Sequence, residues 1–254
     1  MRVAIVGKGG AGKSVLAGTL ARIVARRGTP VLALDSDALP GLSLSLGSGP
    51  DPIEPLLLGA TERDADGRWG WREGIDATVA IERFTTAAPD GIRLLQRGKV
   101  SVAGFGAITG SSKAFWEVAH RLADAAAFRD WALIGDLPGG ARQIAEGWAP
   151  YADTYLVVAE PTMQSLLTAR RVARLASSRP GPAVTLVASK VKNDADLRRI
   201  EEFMGARAAA VMPREPAVAE AERLGVALID HAPDSAAVQA VEGLVAGLEA
   251  QGAK

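Results

Sequence analysis

The stretch VGKGGAGKS, residues 6–14, decides how this chain of 254 residues is read. Gly7 to Ser14 satisfies G-x-x-x-x-G-K-[ST], a loop whose backbone N–H groups curl around phosphates. The flanks supply the required context. Residues 2–6 (RVAIV) are a short β-branched run predicted to be a strand. From Lys13 onward Val15, Leu16, Leu20, Ile23 and Val24 recur at helical spacing, and Gly28 closes that helix. A helix opening at the loop adds its positive dipole end to the site. The expected nucleotide-binding set is Gly9, Gly10, Ala11, Gly12, Lys13, Ser14 and Val15. Lys13 is expected to reach the β- and γ-phosphates and the Ser14 hydroxyl to bind Mg²⁺.

Outward from the loop, residues 31–34 (VLAL) form a second buried strand that ends at Asp35. Strand, helix and strand in this order make a βαβ unit and imply a parallel sheet. The alternation returns later, with strands predicted at 131–136, 154–159, 183–189 and 208–212. Helices are predicted near 141–148, 163–176, 194–204, 216–224 and 234–250, and another at 113–127. Unbroken apolar strands of this kind are covered on both faces. Residues 47–112 read differently: GSGPDP (47–52) and ERDADGRWGWREG (62–74) are rich in Gly, Pro and charge. The expectation is a single α/β domain over 1–254, with three layers and a mostly parallel sheet flanked by helices, elaborated by a loop-rich stretch at 47–112.

A phosphate site also needs carboxylates at neighbouring strand ends. Asp136 ends WALIGD and leads into LPGG, while Asp35 and Asp37 end the second strand in LDSD. An Asp after a strand is also a common turn former or helix cap. Lys+Arg and Asp+Glu balance at 29 each, so net charge gives no case for non-specific nucleic-acid binding. The absence of cysteine excludes disulfides and thiolate metal sites. His120 and His231 are the only imidazoles and share no ligand spacing. No apolar run reaches the roughly 18 residues that span a bilayer, and no signal-peptide layout is present. A soluble, cytoplasmic protein without a membrane partner is expected.

The second lysine of the loop, Lys8, extends the reading. KGGAGKS resembles the "deviant" Walker A motif, K-G-G-x-G-K-[ST], of the MinD/ParA-type (SIMIBI-class) P-loop ATPases, whose relatives include the nitrogenase iron protein and the CooC-type accessory ATPases of nickel carbon monoxide dehydrogenase. The resemblance implies ATP and Mg²⁺ as ligands and a homodimer in the ATP state, with Lys8 reaching across to the partner's phosphates. LDSDALPGLSLSLG (34–47) resembles the family's first switch segment, with Asp37 matching the residue that positions water and also placed near Mg²⁺. Ala38, Leu39 and Gly41 depart from its usual Pro and Asn residues. DLPGG (136–140) resembles the second switch, with Asp136 holding Mg²⁺ through water. VVAEPTMQSLLTARRVARL (157–175), GIRLLQRGKV (91–100) and MPREPAVAEAERLGVAL (212–228) resemble CooC-type segments. Ser189 stands where the family carries an adenine-reading Asn, leaving base recognition to Lys190 or to the 213–220 loop beginning at Pro213.

CooC-type proteins carry a C-x-C pair after the G-K-V segment, where this chain reads VSVAGFGAITGSSKAFW (100–116). Direct nickel carriage on thiolates is excluded. GFGAITGSS reads either as an interface loop facing a partner or as a flexible connection before the next helix. Trp69 and Trp71, beside Arg68 and Arg72, read either as a partner surface or as anchors of a long loop. Three functions compete: an accessory ATPase acting on a metalloenzyme or its assembly factor, a spatial-positioning ATPase, and a nucleotide-binding regulator with little turnover. Against the second, residues 235–254 carry Lys254 as their one cation, which argues against electrostatic membrane attachment.

Overall fold

The computed structural model describes residues 1–38, 41–52, 56–99, 105–178 and 181–252. Leu39, residues 100–104 and Lys254, all named above, lie outside the described residues.

Strand β1 (Arg2–Gly7) runs through the glycine-rich loop into helix α1 (Lys13–Arg26), and β2 (Val31–Asp35) follows. Next come α2 (Leu42–Leu46), a 3-10 turn at Leu56–Ala60, and the hairpin of β3 (Thr61–Arg63) and β4 (Trp69–Trp71). Helix α3 (Ala77–Arg83), β5 (Thr86–Ala87) and β6 (Arg93–Gln96) complete that stretch. The second half runs α4 (Phe105–Leu122), β7 (Ala132–Asp136), α5 (Arg142–Ala145), β8 (Thr154–Ala159) and α6 (Met163–Ser177). It ends with β9 (Ala183–Val191), α7 (Asp194–Met204), β10 (Ala208–Pro213), α8 (Pro216–Leu224), α9 (Leu228–His231) and α10 (Ala236–Gly252).

Among the described residues the main sheet has eight strands in the order β10-β9-β8-β1-β7-β2-β6-β5. Every pairing is parallel except β5 with β6. Parallel strands need crossovers, and the helices supplying them cover both faces. One face buries Leu16, Leu20 and Ile23 of α1 with Val241 and Val245 of α10. The other buries Phe115 and Val118 of α4 with Leu166 and Val172 of α6. Because β1, β2, β7, β8, β9 and β10 all point the same way, Gly7, Asp35, Asp136, Glu160, Ser189 and Pro213 reach one edge of the sheet.

Three expectations are corrected. The stretch 47–112 is not only loop: it contributes β6 to the main sheet beside β2, in register Leu32–Arg93 to Asp35–Gln96. FGAITGSS (105–112) is no loop either, because α4 begins at Phe105, eight residues before the predicted helix start at 113. The helix expected at 141–148 is a single turn, α5. The tryptophans of the hairpin are anchors. A Cβ on Gly110 of α4 would lie 2.6 Å from the Trp69 ring, and Trp71 packs on the second core face.

One polar cluster is folded into this frame. Arg22 of α1 is 3% exposed, donates from Nε to Asp90 at 2.5 Å, and grips Asp230 of α9 with both terminal nitrogens at 2.8 and 2.9 Å. Its Nη1 also donates to the Leu46 carbonyl at 2.7 Å. Arg26 pairs with the same two carboxylates. Arg22→Met is expected to cost about 2 kcal/mol, below the ~3–5 kcal/mol of a broken buried pair, because both aspartates keep Arg26 and some water. A urea midpoint that falls with unchanged slope is the expected readout; an unmoved midpoint would count against the cluster as a tie between α1, α2 and α9.

Candidate functional site

The loop between β1 and α1 is shaped for an anion. Gly10 and Gly12 take left-handed φ values of 75° and 92°, where an L side chain is strained. Gly12 is the N-cap of α1, no side chain caps the first turn, and that turn carries no acid. The orphan amides of the helix start thus face the loop with the positive end of its dipole. Ala11 is fully buried and its N–H closes the loop onto the Lys8 carbonyl at 3.2 Å. The hydroxyl of buried Ser189 lies 3.1 Å from where a Gly12 Cβ would stand, so Ser189 packs on the loop.

The two lysines go in different directions. Lys13, 7% exposed, folds its Nζ back to the Lys8 carbonyl at 3.4 Å. Lys8 leaves the loop, and its Nζ pairs with Oε1 of Glu160 at 3.3 Å. Lys190 has a φ of 56°, donates to the Gly10 carbonyl at 2.5 Å and stands 3.6 Å from Glu160 Oε2. Pro213 pairs in register with Val191, one residue beyond Lys190, so both base-binding candidates occupy adjacent strand ends. Val15 lies in the first turn of α1.

The carboxylates sit opposite. Ser14 Oγ donates to Asp136 Oδ2 at 2.5 Å, while Asp136 Oδ1 is buried with no hydrogen-bond partner among the described residues. Burial raises the Asp136 carboxyl to about 6, opposed by the Lys13 charge and the Ser14 hydrogen bond. A partly buried serine hydroxyl with one unpartnered, buried carboxylate oxygen behind it is a donor set that suits a hydrated Mg²⁺. Asp35 has another task. Its Oδ1 accepts from Asp37 N–H at 3.1 Å and its Oδ2 from Leu42 N–H at 3.2 Å, bracketing the segment that carries Asp37. Burial, and then the nearby Asp136 charge, push the Asp35 carboxyl well above the usual carboxylate range.

The two Asp-bearing loops are joined. Ser36 Oγ donates to Gln143 Oε1 at 2.7 Å, and Gln143 Nε2 donates back to the Ser36 carbonyl at 3.1 Å. The DLPGG loop also presses on the phosphate loop. A Cβ on Gly139 would lie 2.6 Å from Gly9 N, and Gly140 N–H donates to the Gly7 carbonyl at 3.0 Å. Arg97 closes the far side. Its Nε donates to Ser112 Oγ at 2.7 Å, its guanidinium lies 5.3 Å from the Trp148 ring centroid, and its N–H donates to the Asp35 carbonyl.

Glu160, Gln143 and Arg97 carry no role in the sequence reading. Glu160 had a legible signal, an acid following the apolar run TYLVVA at a strand's carboxyl end. The two histidines stay apart from the site: His120 stacks on Trp116 with ring centroids 3.7 Å apart, and His231 lies 3.7 Å from Glu220. No helix among the described residues is long and apolar enough to cross a membrane.

A parallel sheet with a glycine-rich loop, a following helix and carboxylates on the next strand ends defines a P-loop nucleotide-binding protein. The chain belongs to the CobQ/CobB/MinD/ParA nucleotide-binding domain family, whose model matches residues 3–229. It is similar to an uncharacterised ATP-binding protein of Methanocaldococcus jannaschii, at 28% identity covering 89% of this chain and 90% of that one. It is also similar to the carbon monoxide dehydrogenase accessory protein CooC of Rhodospirillum rubrum, at 26% identity over 92% and 91% of the two chains. The fold matches that of the septum site-determining protein MinD of Pyrococcus horikoshii OT3, solved with Mg-ADP, with a TM-score of 0.73, 21% identity and 97% and 94% of the chains covered.

Proposed function

We propose that the chain is a Mg²⁺-dependent ATPase switch, acting as one domain, that closes into a homodimer on ATP and opens on hydrolysis. Its client is a metalloenzyme in assembly or an assembly factor of one, served without metal held on thiolates. The observation that carries the switch is the divergence of the two lysines: Lys13 turns into its own loop, while Lys8 projects away to Glu160. A cation outside its own phosphate cradle is available to a facing site, as an arginine finger is.

Lys13 and the amides of Gly9 to Val15 would bind the chain's own phosphates. Ser14 and Asp136 would hold Mg²⁺, with Asp37 nearby. Asp37 would orient the attacking water, and Lys8 would neutralise charge across the dimer. Lys190 and Pro213 would border the base. Mg²⁺ held there would supply neutralisation of phosphate charge. Gln143 and the DLPGG loop fix both carboxylate loops against the phosphate loop, so their positions are set before nucleotide arrives. Similarity to the CooC accessory protein supports the client class.

The test compares Asp37→Asn with Lys8→Ala, each given ATP·Mg²⁺. Light scattering is expected to report a doubled mass for Asp37→Asn and a single chain for Lys8→Ala. Pull-down from the source cells should enrich a metalloenzyme or its assembly factors with Asp37→Asn only. Chromosomal, septal or membrane proteins in that catch would sink the client assignment, and equal masses for the two variants would sink the switch.

A further inference from the structure

We propose that Glu160 is a positioning residue that holds Lys8 within its own subunit, so that the lysine becomes available to a second subunit only when this carboxylate lets go. Glu160 follows β8, the strand beside β1, and so stands at the foot of the phosphate loop. Its side chain is 11% exposed and sits between two ammonium groups. Oε1 accepts from Lys8 at 3.3 Å and from Thr162 Oγ1 at 3.2 Å, and Oε2 faces Lys190 at 3.6 Å. Lys190 in turn is fixed to the Gly10 carbonyl.

The carboxylate is itself held in place. Its residue's N–H donates to Ser165 Oγ at 3.1 Å, and Thr162 caps α6 through a bond from Ser165 N–H. Helix α6 thus begins as a rigid mount for one acid. By contrast Lys8 is 34% exposed and its loop is rich in glycine, so the lysine is the mobile partner. One carboxylate balances two cations that border the phosphate loop. Phosphates entering there would compete with Glu160 for both lysines.

This inference rests on Lys8 being the residue that crosses between subunits. The full chain is tested with a non-hydrolysable ATP analogue and Mg²⁺, by sedimentation over a protein dilution series. Glu160→Gln keeps the shape and removes the charge. It is expected to lower the concentration for half-dimerisation on the order of fivefold, the worth of about one partly exposed ion pair. Lys8→Ala is expected to raise it, and adding Glu160→Gln to Lys8→Ala is expected to change nothing further. A gain from Glu160→Gln that survives without Lys8, or no gain at all, overturns the proposal. If Lys8→Ala dimerises like the parent chain, the crossing role of Lys8 has failed and the hold loses its purpose. A second readout separates the two. In the single chain, acetylation of the Lys8 amine, followed by mass spectrometry, should run faster in Glu160→Gln, and an unchanged rate overturns the hold even if Lys8 does cross. Should Glu160→Gln fail to fold, Glu160→Asp, which keeps the charge but not the reach, is expected to give the same changes in reduced size.

Discussion

Lys13→Ala is expected to lower ATP affinity and turnover by at least on the order of a hundredfold, the scale of losing one preorganised charged donor. Two effects act together. The variant loses the cation nearest the phosphates, which the fold keeps 7% exposed and anchored on the Lys8 carbonyl. It also loses the charge that restrains the rise of the Asp136 carboxyl. Without it, more of Asp136 is neutral at pH 7, and the Mg²⁺ donor set weakens as well. Titration of a fluorescent ATP analogue measures the loss. A change under threefold would mean that the backbone amides alone hold the phosphates.

Asp136→Asn is expected to remove Mg²⁺-dependent turnover by a comparable factor and, at the same time, to stabilise the fold at neutral pH. The sign follows from the raised carboxyl. Its value of about 6 in the folded chain lies above the usual 3.8, because burial opposes charge. The fold therefore favours the protonated form. That contribution is fully present below pH 3.8 and is lost as pH rises through 6. At pH 7.5 the ionised, buried carboxylate costs about 3 kcal/mol at 1.36 kcal/mol per unit, and asparagine carries no such cost. The ligand-free variant should melt higher than the parent at pH 7.5, and the gap should close toward pH 4. Mg²⁺ binding has the opposite dependence. It needs the ionised group, so the gain in nucleotide affinity on adding Mg²⁺ should appear between pH 5 and 7 and be absent from the variant. A parent chain whose Mg²⁺ gain is flat across that range would contradict this account of Asp136.

The phosphate loop was legible because its information is local: eight contiguous residues, one strand before and one helix after. Asp35 and Asp136 stood out for the same reason, each directly following an apolar run, with Asp37 two residues beyond Asp35. What was missed is tertiary. Lys8 and Glu160 are 152 residues apart, and Ser36 and Gln143 are 107 apart. No window of sequence contains either pair. The start of α4 was hidden by composition. Gly106 and Gly110 lower helix propensity by about 1 kcal/mol each, which reads as loop. Packing overrides that cost at Gly110, since only a residue without a side chain lets the Trp69 ring approach. Strand β6 has four residues, too few for periodicity to declare itself, and it is fixed by its pairing with β2. Asp35 carried the same local signal as Asp37, yet it spends both oxygens on backbone amides, a difference that only the fold reveals.

The central position of β1 bears on how the protein is made. Its neighbours in the sheet are β7 and β8, which begin at Ala132 and Thr154. On the ribosome, β1 must therefore wait for about 125 further residues before either of its edges is paired. At roughly 5–20 residues per second, that interval is on the order of ten seconds. During it, the apolar segment RVAIV is an open template for other strands, and the glycine-rich loop behind it has nothing to brace it. The nascent protein is thus most exposed to misassociation, and to any chaperone that guards against it, through the very segment that later holds the nucleotide.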